Sequence, residues 1–315
     1  MSTMLRIMGV PIQPAGDLPE LPVELVQSVV REAFAMLGAG RAVQPLQVVT
    51  DLPGGGDVIA YQAVLADSGV YAVKVSPYLP QPDGRAIVTA WTLLVSTHSG
   101  EPVLLVDSAG LTTERTAATT AVAVDLLAGP DARSLAVIGL GKVGRAHLRH
   151  VRGLRGFTDV RVYSRSAGAG DRDEPEGVRL VGCAQEAAQG ADVVLLCTSA
   201  ADAVIDVTAL PAGTLITSVS TNAPMAREID PAALAWLDVY ADLAPAAFAA
   251  AGEMRIAAAE HGFTVEDIRG DLPGLLSDTT PAPSGDRPVF FRSVGLGIED
   301  AAIAFAVLEK VEAPA

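Results

Sequence analysis

Residues 134–154 read SLAVIGLGKVGRAHLRHVRGL, and few folds accommodate that order. SLAVI, residues 134–138, is an apolar run with the length of a buried strand. Gly139, Gly141 and Gly144 follow in G-x-G-x-x-G spacing, and Arg145 to Leu154 has the pattern of a helix. In a strand–turn–helix unit each glycine has its own reason. The first permits the turn, Gly141 lets the backbone approach a pyrophosphate, and Gly144 allows helix and strand to pack closely. The helix start then offers N–H groups and a partial positive charge to phosphates. Gly139, Gly141, Lys142, Val143 and Gly144 are therefore a candidate dinucleotide-binding loop.

The context supports this. A second strand, Asp159 to Tyr163, lies about 20 residues on and ends in Tyr163-Ser164-Arg165-Ser166. An NAD-preferring site carries an acid here to grip the ribose 2′-hydroxyl. Two hydroxyls and a guanidinium suit a 2′-phosphate instead. Ser164, Arg165 and Ser166 thus predict NADP(H) over NAD(H), although an Arg165 stacked on adenine would admit either cofactor. Further apolar strands are expected at Asp192–Cys197, Leu215–Val219 and Leu237–Tyr240, with helices and loops between them. That alternation means a parallel, doubly wound sheet. Thr198 and Ser220 follow two of these strands and are candidates to line the cofactor site.

The N-terminal part has another texture. Residues 22–38 have helical spacing. Val58–Leu65, Val70–Val75, Ile87–Ser96 and Val103–Val106 read as strands, the last two joined by a hairpin through His98–Glu101. A mostly antiparallel sheet with a helix is expected. An Ala/Thr/Val helix follows over 112–127 with Thr112 as N-cap, and an amphipathic helix closes the chain at 297–310. At 315 residues and 50% apolar composition the chain has room for two domains. A formal charge of −15 without a basic run argues against nucleic acid. Only three of the 22 basic residues are Lys: Lys74, Lys142 and Lys310.

Cys183 and Cys197 read as reduced, mostly buried thiols. No metal-ligand pattern is present, and His147 and His150 read as exposed helix residues. The acidic stretch Asp171, Asp173, Glu174, Glu176 reads as a solvated loop. The N-terminus lacks the apolar core of a signal peptide, and no apolar run approaches the roughly 20 residues a membrane span needs. A soluble, cytoplasmic protein is expected.

Four stretches together resemble the ornithine cyclodeaminase/mu-crystallin family. They are YAVKVSP (71–77), SGEPVLLVDSAGLTTERTAATTAVA (99–123), the glycine loop (134–148) and FRSVGLGIEDAAIA (291–304). The resemblance implies a Rossmann doubly wound sheet inserted in an α+β substrate and dimerisation domain. The expected boundaries are 1–120 plus 293–315 for the outer domain and 121–292 for the dinucleotide-binding domain. It also implies a homodimer. Lys74 matches the family's active-site lysine, able to orient and polarise a C=N or C=O group. As an alternative, it would be a snorkelling strand-edge lysine. Arg115 matches the arginine that holds a substrate carboxylate; otherwise it is an exposed residue paired with Glu114 or Asp125. Thr116 and Thr120 either touch cofactor phosphates or pack.

The sequence departs from the family pattern where Gln47 replaces an arginine and Asn222 replaces a carboxylate, both at substrate-facing positions. Ile87 falls where the family has a threonine. These changes speak against ornithine as substrate. The expected activity is hydride transfer between NAD(P)H and a small imino or 2-oxo acid, or its amino acid. The alternatives are cyclodeamination of ornithine to proline and ammonia, and a non-catalytic NADPH-binding protein.

Overall fold

The computed structural model describes residues 5–7, 10–165, 175–220 and 225–313. Ser166 and Asn222 lie outside the described residues, as do Asp171, Asp173 and Glu174. The chain divides into two compact units: residues up to Arg115 together with those from Gly295 onward, and Thr116–Val294. The divisions thus fall a few residues from the expected 120/121 and 292/293.

The first unit is built on a nine-stranded sheet. Its strands are β1 (Leu5–Ile7), β2 (Val10–Gln13), β3 (Ala42–Val43), β4 (Val48–Asp51), β5 (Asp57–Leu65), β6 (Val70–Pro80), β7 (Ala86–Val88), β8 (Trp91–Ser96) and β9 (Pro102–Asp107). The order is β1-β2-β9-β8-β6-β5-β3, with β4 on β5 and β7 on β6. All pairs are antiparallel except β2–β9. Ile87–Ser96 is not one strand but two. The long β6 pairs back on Ala86–Val88 through Tyr78–Pro80, and on Trp91–Ser96 through Val70–Val75. Helix α1 (Val23–Gly38) turns Val26, Val30, Ala33, Phe34 and Met36 inward. Period-2 alternation buries Ile59, Tyr61, Ala63 and Leu65 of β5 on one face, and Val70, Ala72 and Lys74 of β6 likewise. Lys74 is a buried charge on that otherwise apolar face. A long helix, α2 (Ala109–Leu127), follows β9. It starts at Ala109, with Thr112 N–H donating to the Ser108 carbonyl, so Thr112 lies inside the helix and is not its cap.

The second unit is an eight-stranded, all-parallel sheet in the order β12-β11-β10-β13-β14-β17-β15-β16. Its elements are β10 (Ser134–Ile138), α3 (Lys142–Val151), β11 (Asp159–Tyr163), β12 (Arg179–Leu180), α4 (Ala184–Ala188), β13 (Val193–Leu196), β14 (Leu215–Ser218), β15 (Asp238–Ala241), α5 (Ala244–Ala250), α6 (Gly252–His261), β16 (Ile268–Asp271), α7 (Leu272–Leu276) and β17 (Val289–Arg292). Central strands such as β13, β14 and β17 are buried at every position, as parallel strands covered on both faces must be. The order reverses at β10, with β11 on one side and β13 on the other. This is the switch point of a doubly wound sheet.

The last element, α8 (Gly297–Glu312), belongs to the first unit and packs on α1 and on β5, β6 and β8. No helix among the described residues is long and apolar enough to cross a membrane.

Candidate cofactor groove and buried charge cluster

The second unit carries a groove of about 840 Å³ at the switch point. Gly139, Gly141, Ser164, Arg165 and Thr198 all line it. Gly139 has φ +97°, and a side chain on it would meet the Cys197 carbonyl oxygen at 2.5 Å. A side chain on Gly144 would overlap the Gly139 carbonyl. Both glycines are thus demanded by the chain itself. Gly141 differs: nothing of the protein lies near its would-be Cβ. Its small size matters only to something that is not protein, which suits close approach of a pyrophosphate. Gly141 is also the N-cap of α3, and a glycine cap has no side-chain oxygen to satisfy the first-turn N–H groups. Lys142, Val143 and Gly144 form that first turn. Arg165 is exposed at the end of β11. The residues present therefore fit a dinucleotide.

Three neighbours behave otherwise than expected. His147 and His150 are buried, at 0% and 2% exposure. His147 meets the Val143 carbonyl through Nδ1 at 2.8 Å and the Thr120 hydroxyl through Nε2 at 2.9 Å. The small Ala/Thr surface of α2 leaves room for that ring, which is why a polar helix face turned inward. Thr120 is fully buried and engaged with it. Cys183 is exposed, because it is the N-cap of α4 and its Sγ accepts from Glu186 N–H. Cys197 is partly buried, and burial, with the Glu228 charge beside it, pushes its thiol pKa well up. That disfavours the thiolate a nucleophile needs.

The first unit holds a cluster of four charges, each at most 4% exposed: Lys74, Arg115, Glu299 and Asp300. Lys74 sits on β6 opposite Tyr61 of β5. Its Nζ is 4.2 Å from the Tyr61 ring centre and 2.9 Å from Asp300 Oδ2. Arg115, on α2, donates through Nε to Asp300 at 3.0 Å and through Nη1 to Glu299 at 2.9 Å. Glu299 also caps α8, accepting from Leu296 N–H. Neither cation is a snorkelling or exposed residue. Burial, with the Arg115 charge beside it, lowers the Lys74 pKa to about 8, against the opposing pull of Asp300. Burial works against charge on Arg115 as well, but Asp300 and Glu299 outweigh it and hold its pKa above the ordinary value.

Glu299 and Asp300 match no spacing motif in the sequence. Their signal was present: two adjacent acids inside an otherwise apolar, core-facing helix have no solvent to face. The rest of that motif is now explained. Gly295 (φ +79°) lies where a side chain would strike Arg115 Nη1 at 2.5 Å, and a side chain on Gly297 would overlap the Gln62 backbone on β5. Gln47 is half-buried just before β4 and makes no part of the four-charge cluster. Ser220 follows β14 in a left-handed conformation (φ 45°), rare for a non-glycine residue.

The sequence matches the ornithine cyclodeaminase/mu-crystallin family over residues 19–314. The chain belongs to this family. It is 50% identical over 293 residues to the NAD(P)H-dependent anabolic L-arginine dehydrogenase DauB of Pseudomonas aeruginosa, covering 90% of this chain and 91% of that protein. It is 26% identical to the Delta(1)-pyrroline-2-carboxylate reductase of Bacillus cereus, over 88% and 89% of the two chains. The fold superposes on Thermococcus litoralis Delta(1)-pyrroline-2-carboxylate reductase, solved with NADH and L-proline, at a TM-score of 0.85 and 26% identity, over 95% of this chain and 97% of that one.

Proposed function

We propose that the chain is an NAD(P)H-dependent oxidoreductase acting on a small imino or 2-oxo acid, or on the corresponding amino acid, with NADP(H) preferred. The observation that carries this is the pairing of a Rossmann switch-point groove with a buried Lys–Arg cluster in one family member. Gly139–Gly144 and the start of α3 would hold the pyrophosphate, and Ser164 and Arg165 the 2′-phosphate. Once bound, the nicotinamide supplies or accepts the hydride. The chain's own residues do the rest. Arg115 holds the substrate carboxylate. A guanidinium has five N–H donors, so a plane fixed by two acids still meets a third. Lys74 protonates the reduced nitrogen or oxygen in the reductive direction and takes that proton back in the oxidative one. A pKa of about 8 suits both.

The test is NADPH oxidation by the purified protein with pyrroline-2-carboxylate, piperideine-2-carboxylate, or 2-oxo acids with ammonia. The 2-oxo acids should include the analogue of arginine, given the relative at 50% identity. Turnover is expected with at least one. Ornithine converted to proline and ammonia without net cofactor change would replace this assignment by cyclodeamination. Tight NADPH binding without either reaction would replace it by a binding protein. In Arg165→Ala, NADPH affinity should fall by about tenfold or more with NADH affinity unchanged, the scale of one lost charge-assisted contact. Equal affinities before and after would remove the NADP(H) preference.

We extend the assignment to a cytoplasmic homodimer. Leu46, Val48 and Val49 around β4, and Ile87 and Val88 on β7, are each 48–62% exposed. Through β5 and β6 these strands share one end of the sheet, where Asp51, Asp57, Tyr78 and Val88 pair in a row. Large exposed apolar patches mark interfaces. Val88→Asp should shift the sedimentation coefficient to that of a monomer; an unchanged value would put the interface elsewhere.

A further inference from the structure

Glu228, ten residues beyond Ser218, is fully buried. Its carboxylate gathers three donors from two strand ends. Thr198 N–H, just past β13, donates to Oε1 at 2.6 Å. The Ser218 hydroxyl, at the end of β14, donates to Oε2 at 2.7 Å, and Ser220 N–H donates to the same oxygen at 3.0 Å. The Glu228 main-chain carbonyl also accepts from Val204 N–H at 2.9 Å. Thr198 and Val204 line the groove. Ser220 is held in its left-handed conformation beside them. Burial raises the Glu228 pKa, and the hydrogen bonds from Thr198 and Ser218 together with the Arg292 charge pull against that rise. One acid therefore ties Thr198, just past β13, to Ser218 and Ser220 at the end of β14.

The location decides what those loops serve. In a doubly wound sheet the ligand crosses the carboxyl ends of the strands at the switch point. Here that point is β10, with Arg165 at the end of β11 on one side. A dinucleotide with its adenosine end at Arg165 extends its other end over β13 and β14, onto the loops Glu228 joins. We propose that Glu228 is the positioning residue for the nicotinamide half of the groove. It acts through Thr198 and Ser220 without touching the reacting atoms. This rests on the assignment of the chain as an NAD(P)H-dependent enzyme. The carboxylate is specifically required because all three donors need acceptors. A glutamine of the same shape places its NH₂ group against either the Thr198 N–H or the Ser220 N–H, neither of which can accept, and the backbone on that side must move.

The experiment compares wild type, Glu228→Gln and Glu228→Asp. It measures thermal melting, affinity for NADPH, affinity for adenosine 2′,5′-bisphosphate (which carries the adenosine and 2′-phosphate but no nicotinamide), and kcat with the best imine. In Glu228→Gln we expect bisphosphate affinity within about twofold of wild type, and NADPH affinity or kcat at least tenfold lower. Glu228→Asp, which keeps the charge but cannot span both loops, should fall between. Wild-type NADPH affinity and kcat in Glu228→Gln would overturn the proposal. Equal loss of bisphosphate and NADPH affinity would also overturn it, because that is general loosening of the unit. If the wild type binds no NADPH and reduces no imine, the enzyme assignment itself fails and takes the proposal with it.

Discussion

Lys74→Met will retain the fold and the cofactor and lose the reaction. Methionine nearly matches lysine in length and suits the apolar face of β6 between Tyr61 and Thr92. The substitution removes a charge that burial already disfavours. Asp300 keeps its ion pair with Arg115 at 3.0 Å, so no carboxylate is stranded. The cluster is nonetheless left with two buried carboxylates against Arg115 alone, so stability should fall by up to about 3–5 kcal/mol, while NADPH affinity should be unchanged, since the groove is lined by residues of the other unit. A positioned general acid is worth roughly 10²- to 10⁴-fold in rate, and kcat for imine reduction should drop by that factor. Titration of NADPH fluorescence alongside steady-state kinetics separates the two effects. A variant within threefold of wild-type kcat would make Lys74 a structural residue.

Much of this could be read in the sequence, and what could not has physical reasons. The glycine loop was legible because its spacing answers to local constraints: a turn, a close helix–strand approach and an exposed helix start lie within a dozen residues. Lys74 stood out because a charged residue in an apolar, alternating strand must be accounted for. Its partners did not stand out, since Asp300 lies 226 residues away and the pairing is set by how α8 docks on β5 and β6. The inward turn of His147 was hidden for the same reason, since it depends on a hydroxyl of α2 that no spacing rule connects to α3. Strand β17 was missed because Val289–Arg292 inserts between β14 and β15 out of chain order.

Asp300→Asn should move the pH profiles of both directions of the reaction to lower pH, with opposite effects on their rates at neutral pH. Asp300 is the nearest anion to Lys74, at 2.9 Å, and it raises the Lys74 pKa against the lowering by burial and by Arg115. Without that charge the lowering effects stand unopposed except by Glu299. The pKa should fall from about 8 by a further 1 to 3 units or so, the usual effect of an opposite charge at contact distance. With Lys74 as the proposed acid, reduction requires it protonated. Its plateau in kcat/KM should end near pH 8 in the wild type and at lower pH in the variant. Oxidation requires Lys74 neutral, so its rising limb should move down by the same amount, and its relative rate at neutral pH should improve. A general weakening of the site would depress both directions at every pH and shift neither limb. Stability carries the matching sign. A lysine whose folded pKa lies below its unfolded value of 10.5 binds fewer protons folded than unfolded between the two pKa values. Stability therefore rises with pH across that window, and in Asp300→Asn the window should extend further toward neutral pH. Below it, the variant holds two buried cations against Glu299 alone and should lose about 3–5 kcal/mol, the cost of breaking a buried pair. Denaturant melts at pH 6 and pH 9 measure this directly. A stability deficit larger at pH 9 than at pH 6 would mean that Asp300 does not set the charge state of Lys74.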